Sequence, residues 1–118
     1  MIDINGYSYN ELYELAEYSD SQELLEILSR HPEEMIRKFV VRNNKTSLEI
    51  LDKLVFDEDE YVRSALACRE DISEKTINLL SKDDCHLVRL RIAENSNTPH
   101  SILKILIFDE YECVRCAA

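Results

Sequence analysis

A short sequence phrase that ends in arginine recurs along the chain at a fixed distance. Its clearest copies read Asp57-Glu-Asp-Glu-Tyr-Val-Arg63, Asp83-Asp-Cys-His-Leu-Val-Arg89 and Asp109-Glu-Tyr-Glu-Cys-Val-Arg115, and a looser copy runs from His31 to Arg37. The arginines of these copies stand at positions 37, 63, 89 and 115, so the spacing is constant at 26. A period of roughly 20 to 50 residues is typical of proteins that stack one supersecondary unit on the next. The recurrence therefore predicts a repeat architecture.

Apolar residues between successive arginines fall into two blocks with helical spacing, which predicts two helices per repeat. The first helix would bury Ile36, Val40 and Val41, then Val62, Leu66 and Ala67, then Val88, Ile92 and Ala93. The second would bury Leu24, Leu25 and Leu28, then Ile50, Leu51 and Leu54, then Ile77 and Leu80, then Ile102, Leu103 and Leu106. The sequence therefore predicts an all-α solenoid of stacked two-helix repeats with a period of 26.

Polar residues mark the expected helix ends. Asp57, Asp83 and Asp109 are expected to cap the first helix of their repeats, because a carboxylate satisfies unpaired N–H groups at a helix start. The turns that follow the first helix contain Asn43 and Asn95. Asparagine tolerates the left-handed backbone conformation in which many helices end, so we expect that conformation in these turns.

The string Val-Arg-x-x-x-Ala-x-Asn-x-x-Thr-Pro-x-x-x-Leu-x-x-Leu-x-x-Asp, best seen from Val88 to Asp109, resembles the leucine-rich repeat variant family. That family is similar in character to HEAT-like helical repeats. The resemblance implies a right-handed superhelix whose repeats pair an α-helix with a second α-helix or a 3₁₀-helix. Many columns agree at one period, so the resemblance is specific for the fold, and it is unspecific for function.

The resemblance covers about residues 20–118, with an incomplete last repeat, and leaves residues 1–19 as an acidic N-terminal cap. Residues 1–118 are thus expected to form a single helical-repeat domain. The second repeat departs most from the pattern, because Arg69, Ile72 and Ser73 replace Asn, Thr and Pro. This departure leaves open a different start for the second helix of that repeat.

The repeated Asp and Arg allow two interpretations. These structural-ladder candidates are Asp57, Arg63, Asp83, Arg89, Asp109 and Arg115. The arginines could bind an anionic partner, or each could pair with an aspartate at a stacked helix start and fix the register of the repeats. The guanidinium group matches a carboxylate with two parallel hydrogen bonds, and the recurrence beside an apolar column favours the structural role.

The formal net charge of −10 is concentrated at the beginning of the chain. Residues 1–34 contain nine acidic residues and one basic residue, whereas residues 35–118 contain fifteen acidic and thirteen basic residues. An acidic chain argues against direct nucleic-acid binding, which normally needs a basic patch. The acidic start also contains tyrosines, and the candidate partner-binding set is Tyr7, Tyr9, Glu11, Tyr13, Glu14, Glu17 and Tyr18. It is either a soluble capping helix, the favoured interpretation, or a surface for a basic partner.

No arrangement of residues points to catalysis or to a cofactor. Cys113 and Cys116 form one Cys-x-x-Cys pair, and Cys68 and Cys85 are single, whereas a strong metal site would show two close pairs. Cys85 and His86 are adjacent, which directs their side chains apart rather than into a catalytic dyad. We therefore expect no enzyme, no bound metal and no cofactor.

The two ends of the chain carry further expectations. Met1 is not followed by a basic and then apolar leader, and no apolar run approaches the roughly 20 residues of a membrane span. We therefore expect a cytoplasmic protein with free thiols and no membrane partner. At the other end, two interpretations are open: the chain is a fragment of a longer repeat array, or the incomplete repeat exposes an apolar face to a partner, which could be a second copy in a homodimer. The residues of that face are Ile105, Leu106, Phe108 and Val114.

These features together favour a non-catalytic protein–protein interaction module, using the groove lined by the repeats or the C-terminal end face. The alternative from another class is an acidic inhibitor that mimics nucleic acid and blocks a nucleic-acid-handling protein. An enzyme that acts on DNA, by analogy with HEAT-like glycosylases, is a distant third. The sequence does not identify the partner.

Overall fold

Short helices joined by tight turns make up most of residues 3–118, the part of the chain that the computed structural model describes. Within these residues the helices are α1 (Tyr9–Tyr18), α2 (Gln22–Leu28), α3 (Glu34–Arg42), α4 (Leu48–Leu54), α5 (Glu60–Ala67), α6 (Glu74–Leu80), α7 (His86–Glu94), α8 (His100–Leu106) and α9 (Glu112–Ala117). No β-strand forms in the same part of the chain. The prediction of an all-α fold is therefore confirmed.

Corresponding helices begin at regular positions. The even-numbered helices α2, α4, α6 and α8 begin at residues 22, 48, 74 and 100, and the odd-numbered helices from α3 onward begin at residues 34, 60, 86 and 112. Each even-numbered helix is an α-helix of seven residues, so the α/α form of the repeat is the one found in the described residues. Bonds of the 3₁₀ type occur at helix ends, where for example Arg30 N–H donates to the Ile27 carbonyl at 3.2 Å.

The odd-numbered helices form a row in chain order. Helix α1 packs on α3, α3 on α5, α5 on α7 and α7 on α9, while each even-numbered helix packs on at least one odd-numbered helix next to it in the chain. The molecule is elongated, with principal-axis extents of 49 × 20 × 18 Å. These contacts fit a helical bundle or a helical repeat. In the described part of the chain, none of these helices is both long enough and apolar enough to cross a membrane.

The apolar columns of the sequence form the core. One column lies on the odd-numbered helices and its members are completely buried: Ile36, Val62, Val88 and Val114. A second column lies on the even-numbered helices and is at most 5 % exposed: Leu28, Leu54, Leu80 and Leu106. Burial of each such side chain contributes about 1.5–3 kcal/mol. The predicted inward-facing residues are buried as expected except Leu103, which is half-buried.

The predicted caps of the odd-numbered helices are wrong by two positions. The N-cap of α5 is Asp59, whose Oδ1 accepts the N–H of Tyr61 at 2.8 Å. Asp57 instead accepts the N–H of Asp59 at 2.9 Å, and Asp83 and Asp109 each accept the N–H two residues later in the same way. These aspartates therefore form turns before the helices rather than capping them.

The second repeat keeps the common register despite its departures from the sequence pattern. Helix α6 has Ser73 as its N-cap, and the Ser73 hydroxyl accepts the N–H of Thr76 at 3.2 Å. Ser47 caps α4 in the same manner through the N–H of Ile50. Helix α6 therefore does not start differently. Ser73 stands where the pattern has proline, and its hydroxyl caps the helix start.

Candidate interaction surfaces

Three arginines each form a two-pronged ion pair with an aspartate of the next repeat. The Nε atoms of Arg37, Arg63 and Arg89 lie 2.8, 2.8 and 2.7 Å from Oδ2 of Asp57, Asp83 and Asp109. The Nη2 atoms bond the other carboxylate oxygen at 3.2, 3.2 and 3.3 Å. We call these pairs the arginine–aspartate ladder. Fork-to-fork bonding of this kind is stronger and more directional than a single charged contact.

Each arginine of the ladder also binds backward to its own repeat. Arg63 Nη1 donates to the Asp57 carbonyl at 2.6 Å, and Arg89 Nη1 donates to the Asp83 carbonyl at 2.7 Å. Every guanidinium of the ladder thus joins the turn before its own helix to the turn before the next odd-numbered helix. Arg115 is exposed, and its one side-chain hydrogen bond within residues 3–118 is the bond to its own repeat, from Nη1 to the Asp109 carbonyl at 2.7 Å.

The side chains of the ladder are largely buried. The side chains of Arg37 and Asp57 are 7 % and 5 % exposed. Burial alone would lower the pKa of the Arg37 guanidinium, but the hydrogen bond and charge of Asp57 outweigh it and the pKa is raised. Every buried side-chain nitrogen and oxygen in the described residues has a hydrogen-bond partner. The ladder charges are therefore paired with one another inside the fold.

The ladder predicts a loss of stability in acid. Burial would raise the pKa of Asp109, but hydrogen bonds from Arg89 and from the Tyr111 N–H lower it below its ordinary value, and the Arg69 hydrogen bond lowers the pKa of Asp71. Such carboxylates stabilise the fold fully above the unfolded-state pKa near 3.9, and this contribution is lost as the pH falls through the lower folded-state value. We expect the melting temperature, followed by circular dichroism, to fall between about pH 5 and pH 2.

A pair of amide variants isolates the contribution of Asp109. Asp109→Asn should melt lower than the wild-type protein at neutral pH and should lose less stability on acidification. Asp84→Asn makes the same chemical change at a side chain that is 98 % exposed and should keep the wild-type pH profile. Parallel profiles for Asp109→Asn and the wild-type protein would show that the Arg89 pair does not couple folding to proton binding.

A second set of side chains lies just after the odd-numbered helices α3, α5 and α7. Each of them donates to backbone carbonyls at the C-terminal end of the preceding odd-numbered helix. Asn95 Nδ2 donates to the carbonyls of Ala67 and Arg69 at 2.9 and 2.8 Å, and Arg69 Nη1 donates to those of Val41 and Asn43 at 2.6 and 2.8 Å. We call Asn43, Arg69 and Asn95 the carbonyl-capping side chains. Asn43 makes the same pair of bonds, to Ala16 and Ser19.

The expected left-handed asparagines are wrong. Asn43 and Asn95 both have φ of −71°, and none of the described residues has a positive φ. Their amide groups bond backward to the preceding repeat, while their Oδ1 atoms accept the N–H of Lys45 and Asn97 at 2.9 Å. Asparagine is therefore used here for its side-chain hydrogen bonds rather than for its backbone freedom.

The candidate residues of the acidic start fall on different sides of α1. Tyr7, Glu11, Glu14 and Tyr18 line a hollow of about 420 Å³ together with Leu15 and Ser19. Tyr13 turns instead toward Phe39, with ring centroids 5.5 Å apart.

The other two members of the set also lie apart from that hollow. The ring of Tyr9 packs edge-on against His31 at 5.9 Å, and Glu17 is half-buried. Glu11 has a structural task as well, because it and Ser8 bond each other's backbone N–H in a capping box. Four of the seven predicted residues thus line one hollow, and Tyr9, Tyr13 and Glu17 are outside its lining.

A larger hollow, which sequence reasoning missed, lies between the first and second pairs of the ladder. It has a volume of about 770 Å³ and is lined by residues 55–61 and 83–85 with Arg63. We call it the acidic hollow, since its carboxylates are Asp57, Glu58, Asp59, Glu60, Asp83 and Asp84. The rings of Phe56 and Tyr61, 78 % and 56 % exposed, also line it. The available sequence signal was the acidic run from residue 57 to residue 60 between two aromatic residues.

A smaller hollow of opposite charge crosses three of the odd-numbered helices. Its volume is about 410 Å³, and its lining residues are Lys38 and Arg42 of α3, Tyr61, Ser64, Ala65 and Cys68 at α5, and Arg91 of α7. We call it the basic groove. Sequence reasoning missed it as well, although the spacing of Lys38 and Arg42 places both on one face of a helix.

The expected apolar end face is only partly present. Ile105 and Phe108 are 67 % and 82 % exposed, but Leu106 is 2 % exposed and Val114 is completely buried. Val114 is buried because α9 packs on α7, and it continues the column that begins at Ile36. The end-face prediction is therefore wrong for Leu106, which the helical spacing had also placed in the core, and for Val114.

The four cysteines are free thiols. Cys68, Cys113 and Cys116 are exposed and Cys85 is half-buried. Among the residues that the structure describes, no three His, Cys, Asp or Glu side chains gather in a way that could hold a metal ion. Burial raises the pKa of the Cys68 thiol, which keeps it protonated and weakly nucleophilic at neutral pH.

These features define an all-α helical protein whose buried charged and amide side chains connect one helix layer to the next. A scan against protein-family models and searches of curated proteins and of solved structures found no match to this chain.

Proposed function

We propose that this chain is a non-catalytic protein–protein interaction module built on a right-handed α-solenoid of two-helix repeats, similar to the leucine-rich repeat variant family. The constant repeat period is supported by the matching starts of the helices and by the ladder, in which equivalent residues make equivalent bonds. The right-handed form is the one that the family resemblance implies. Solenoids commonly use their extended surfaces to bind other proteins.

The acidic hollow is the observation that carries this proposal. It combines two largely exposed aromatic rings with carboxylates, of which Glu58 and Asp84 are 90 % and 98 % exposed. Aromatic residues are enriched at protein interfaces, and the face of an aromatic ring attracts a cation. The partner that fits this hollow is a protein with an exposed Arg- or Lys-containing segment.

The proposal is tested by comparing two phenylalanine variants. Phe56 lies in the acidic hollow, while Phe108 is 82 % exposed at the equivalent position of a later repeat and lies outside it. The wild-type protein should capture a partner from an extract of the source cells, and Phe56→Ala should weaken binding of the purified partner roughly 30-fold or more, as expected for an interface hot spot. Phe108→Ala should bind within about twofold of the wild-type protein. Equal binding by all three proteins would remove the acidic hollow from the interface.

A second candidate function, an acidic inhibitor that mimics nucleic acid, is favoured by one specific observation. Glu58, Asp84 and Glu110 occupy equivalent positions beside successive ladder pairs and are 90 %, 98 % and 81 % exposed. Such a row of carboxylates could stand in for phosphates. A mimic should lose affinity for its target steeply as salt rises and should be displaced by DNA, whereas binding anchored by Phe56 should weaken less with salt and should not be displaced by DNA.

A further inference from the structure

The basic groove exists because α5 carries small side chains where its neighbours carry large ones. Ser64, Ala65 and Cys68 are the α5 members of three columns of the repeat. The corresponding residues are Lys38, Phe39 and Arg42 on α3, and Leu90, Arg91 and Glu94 on α7. The small residues leave a depression in the row of odd-numbered helices, and the long side chains of α3 and α7 form its two walls.

The walls of the basic groove carry positive charge in a protein that is acidic as a whole. Its charged lining residues are Lys38, Arg42 and Arg91. Arg91 also bonds Glu94 at 2.7 Å at the edge of the groove, with both side chains partly exposed. No ion pair among residues 3–118 involves Lys38 or Arg42. These two cations lie four residues apart on one helix face, where like charges repel, so an anion between the walls would relieve that repulsion.

The floor of the basic groove is partly apolar. Ala65 and Cys68 provide small apolar surface, Tyr61 is 56 % exposed, and Ser64 contributes a hydroxyl group to the lining. Packed helices lie about 8–10 Å apart, so the path from α3 across α5 to α7 covers roughly 16–20 Å. An extended chain advances about 3.3 Å per residue, so five or six residues cover this path.

We infer that the basic groove binds an extended acidic peptide segment of a partner protein, with carboxylates at both ends and an apolar side chain between them. One end lies against Lys38 and Arg42, the apolar side chain covers Ala65 and Cys68, and the other end lies against Arg91. The basic groove and the acidic hollow share Tyr61 but differ in charge. The basic groove therefore selects an acidic segment, whereas the acidic hollow selects a basic one. This surface is independent of the Phe56 side of the acidic hollow on which the proposed function rests.

The test uses the full chain and a fluorescein-labelled octapeptide, Glu-Glu-Glu-Leu-Leu-Glu-Glu-Glu, followed by fluorescence anisotropy. The double variant Lys38→Glu/Arg42→Glu should weaken binding at least about tenfold, because it places carboxylates against carboxylates. The control Lys82→Glu/Lys104→Glu makes the same change in net charge at exposed residues outside the groove and should weaken binding by less than about threefold.

A further variant tests the shape of the groove without changing its charge. Ala65→Phe places on α5 the residue that α3 already carries at the equivalent position, Phe39, and it should fill the floor and weaken binding about tenfold or more. Thermal melts of all variants establish that they are folded before binding is compared. For Ala65→Phe, a folded protein with wild-type affinity would show that the peptide does not lie across α5, which overturns the inference.

Other outcomes also overturn it. Absence of binding at peptide concentrations of about 1 mM, or equal losses in the two double variants, would mean that the groove is not the site. Equal affinity for the Gln-Gln-Gln-Leu-Leu-Gln-Gln-Gln peptide would show that its charge is not recognised. Displacement of the acidic peptide by a short oligodeoxynucleotide at equal or lower concentration would identify a general polyanion site rather than a site for acidic peptides.

Discussion

Replacement of Arg63 by alanine is expected to lower the free energy of unfolding by about 3–5 kcal/mol, which corresponds to a fall in melting temperature of roughly 10–20 °C. The side chains of Arg63 and Asp83 are only 14 % and 9 % exposed. Without the guanidinium, the Asp83 carboxylate stays buried with no cation beside it, and the Asp57 carbonyl loses its donor at 2.6 Å. Urea denaturation followed by circular dichroism measures this loss.

A matched arginine variant controls for the loss of charge and of side-chain volume. Arg30 pairs with Glu26 at 2.6 Å, but the two side chains are 70 % and 41 % exposed. An exposed pair of this kind contributes at most about 1 kcal/mol, so Arg30→Ala should change stability little. If Arg63→Ala were as mild as Arg30→Ala, the ladder would not hold the repeats together.

The double variant Arg63→Met/Asp83→Leu separates the cost of an unpaired charge from the value of the pair. Replacing both members of a buried ion pair with apolar groups is often nearly neutral, whereas removing one member is costly. The double variant should therefore be more stable than the sum of the two single changes by about 2 kcal/mol or more. Strict additivity would mean that Arg63 acts chiefly through the Asp57 carbonyl.

The helices and the core could be predicted from the sequence because both depend on local spacing. The column Ile36, Val62, Val88 and Val114 is visible as one apolar letter that returns with every repeat, and all of its members are completely buried. An apolar residue at a fixed helical position has few alternatives to burial, so pattern and structure agree. Helix type and helix start followed from the same spacing to within a few residues.

The recurrence favoured Arg–Asp pairs between repeats, but the effect of these pairs on the helix caps could not be predicted from local spacing. Asp57 was expected to cap the helix that follows it, which is the usual local role of an aspartate in that position. In the structure its carboxylate meets Arg37, which is twenty residues earlier in the chain, and that pairing displaces the cap to Asp59. A long-range charged pair thus overrides a local capping propensity. The residues of the turn alone do not show that Asp57 binds Arg37.

The acidic hollow and the basic groove could not be predicted because each of them joins residues from more than one repeat. The acidic hollow needs both the loop 55–61 and the turn 83–85, and the basic groove needs three helices. The repeat pattern drew attention to residues that recur, yet the recurring Asp and Arg are used within the fold. The two hollows depend instead on residues that not every repeat shares, such as Phe56, which corresponds to Lys82 in the next repeat, and Ala65 in the column of Phe39 and Arg91.

Arg69 stands where the other repeats have Asn43 and Asn95, but it makes the same kind of hydrogen bonds as they do. Its replacement is expected to have the second large effect on stability. Its guanidinium donates to the carbonyls of Val41 and Asn43, just as the Asn95 amide donates to those of Ala67 and Arg69. Arg69 also pairs with Asp71 at 2.6 Å, and this ion pair fixes the orientation of the long side chain. In Asn95 the same task falls to the side-chain oxygen, which accepts the N–H of Asn97.

Arg69→Ala is therefore expected to lower the free energy of unfolding by about 2–4 kcal/mol, because two backbone carbonyls at the end of α3 lose their donors. Arg69→Asn should stay within about 1 kcal/mol of the wild-type protein, because the amide can make both bonds as Asn43 and Asn95 do. Urea denaturation of the two variants gives the comparison. If Arg69→Asn were as unstable as Arg69→Ala, the two residue types would not be interchangeable at this position, and the Asp71 pair would be what stabilises the second repeat.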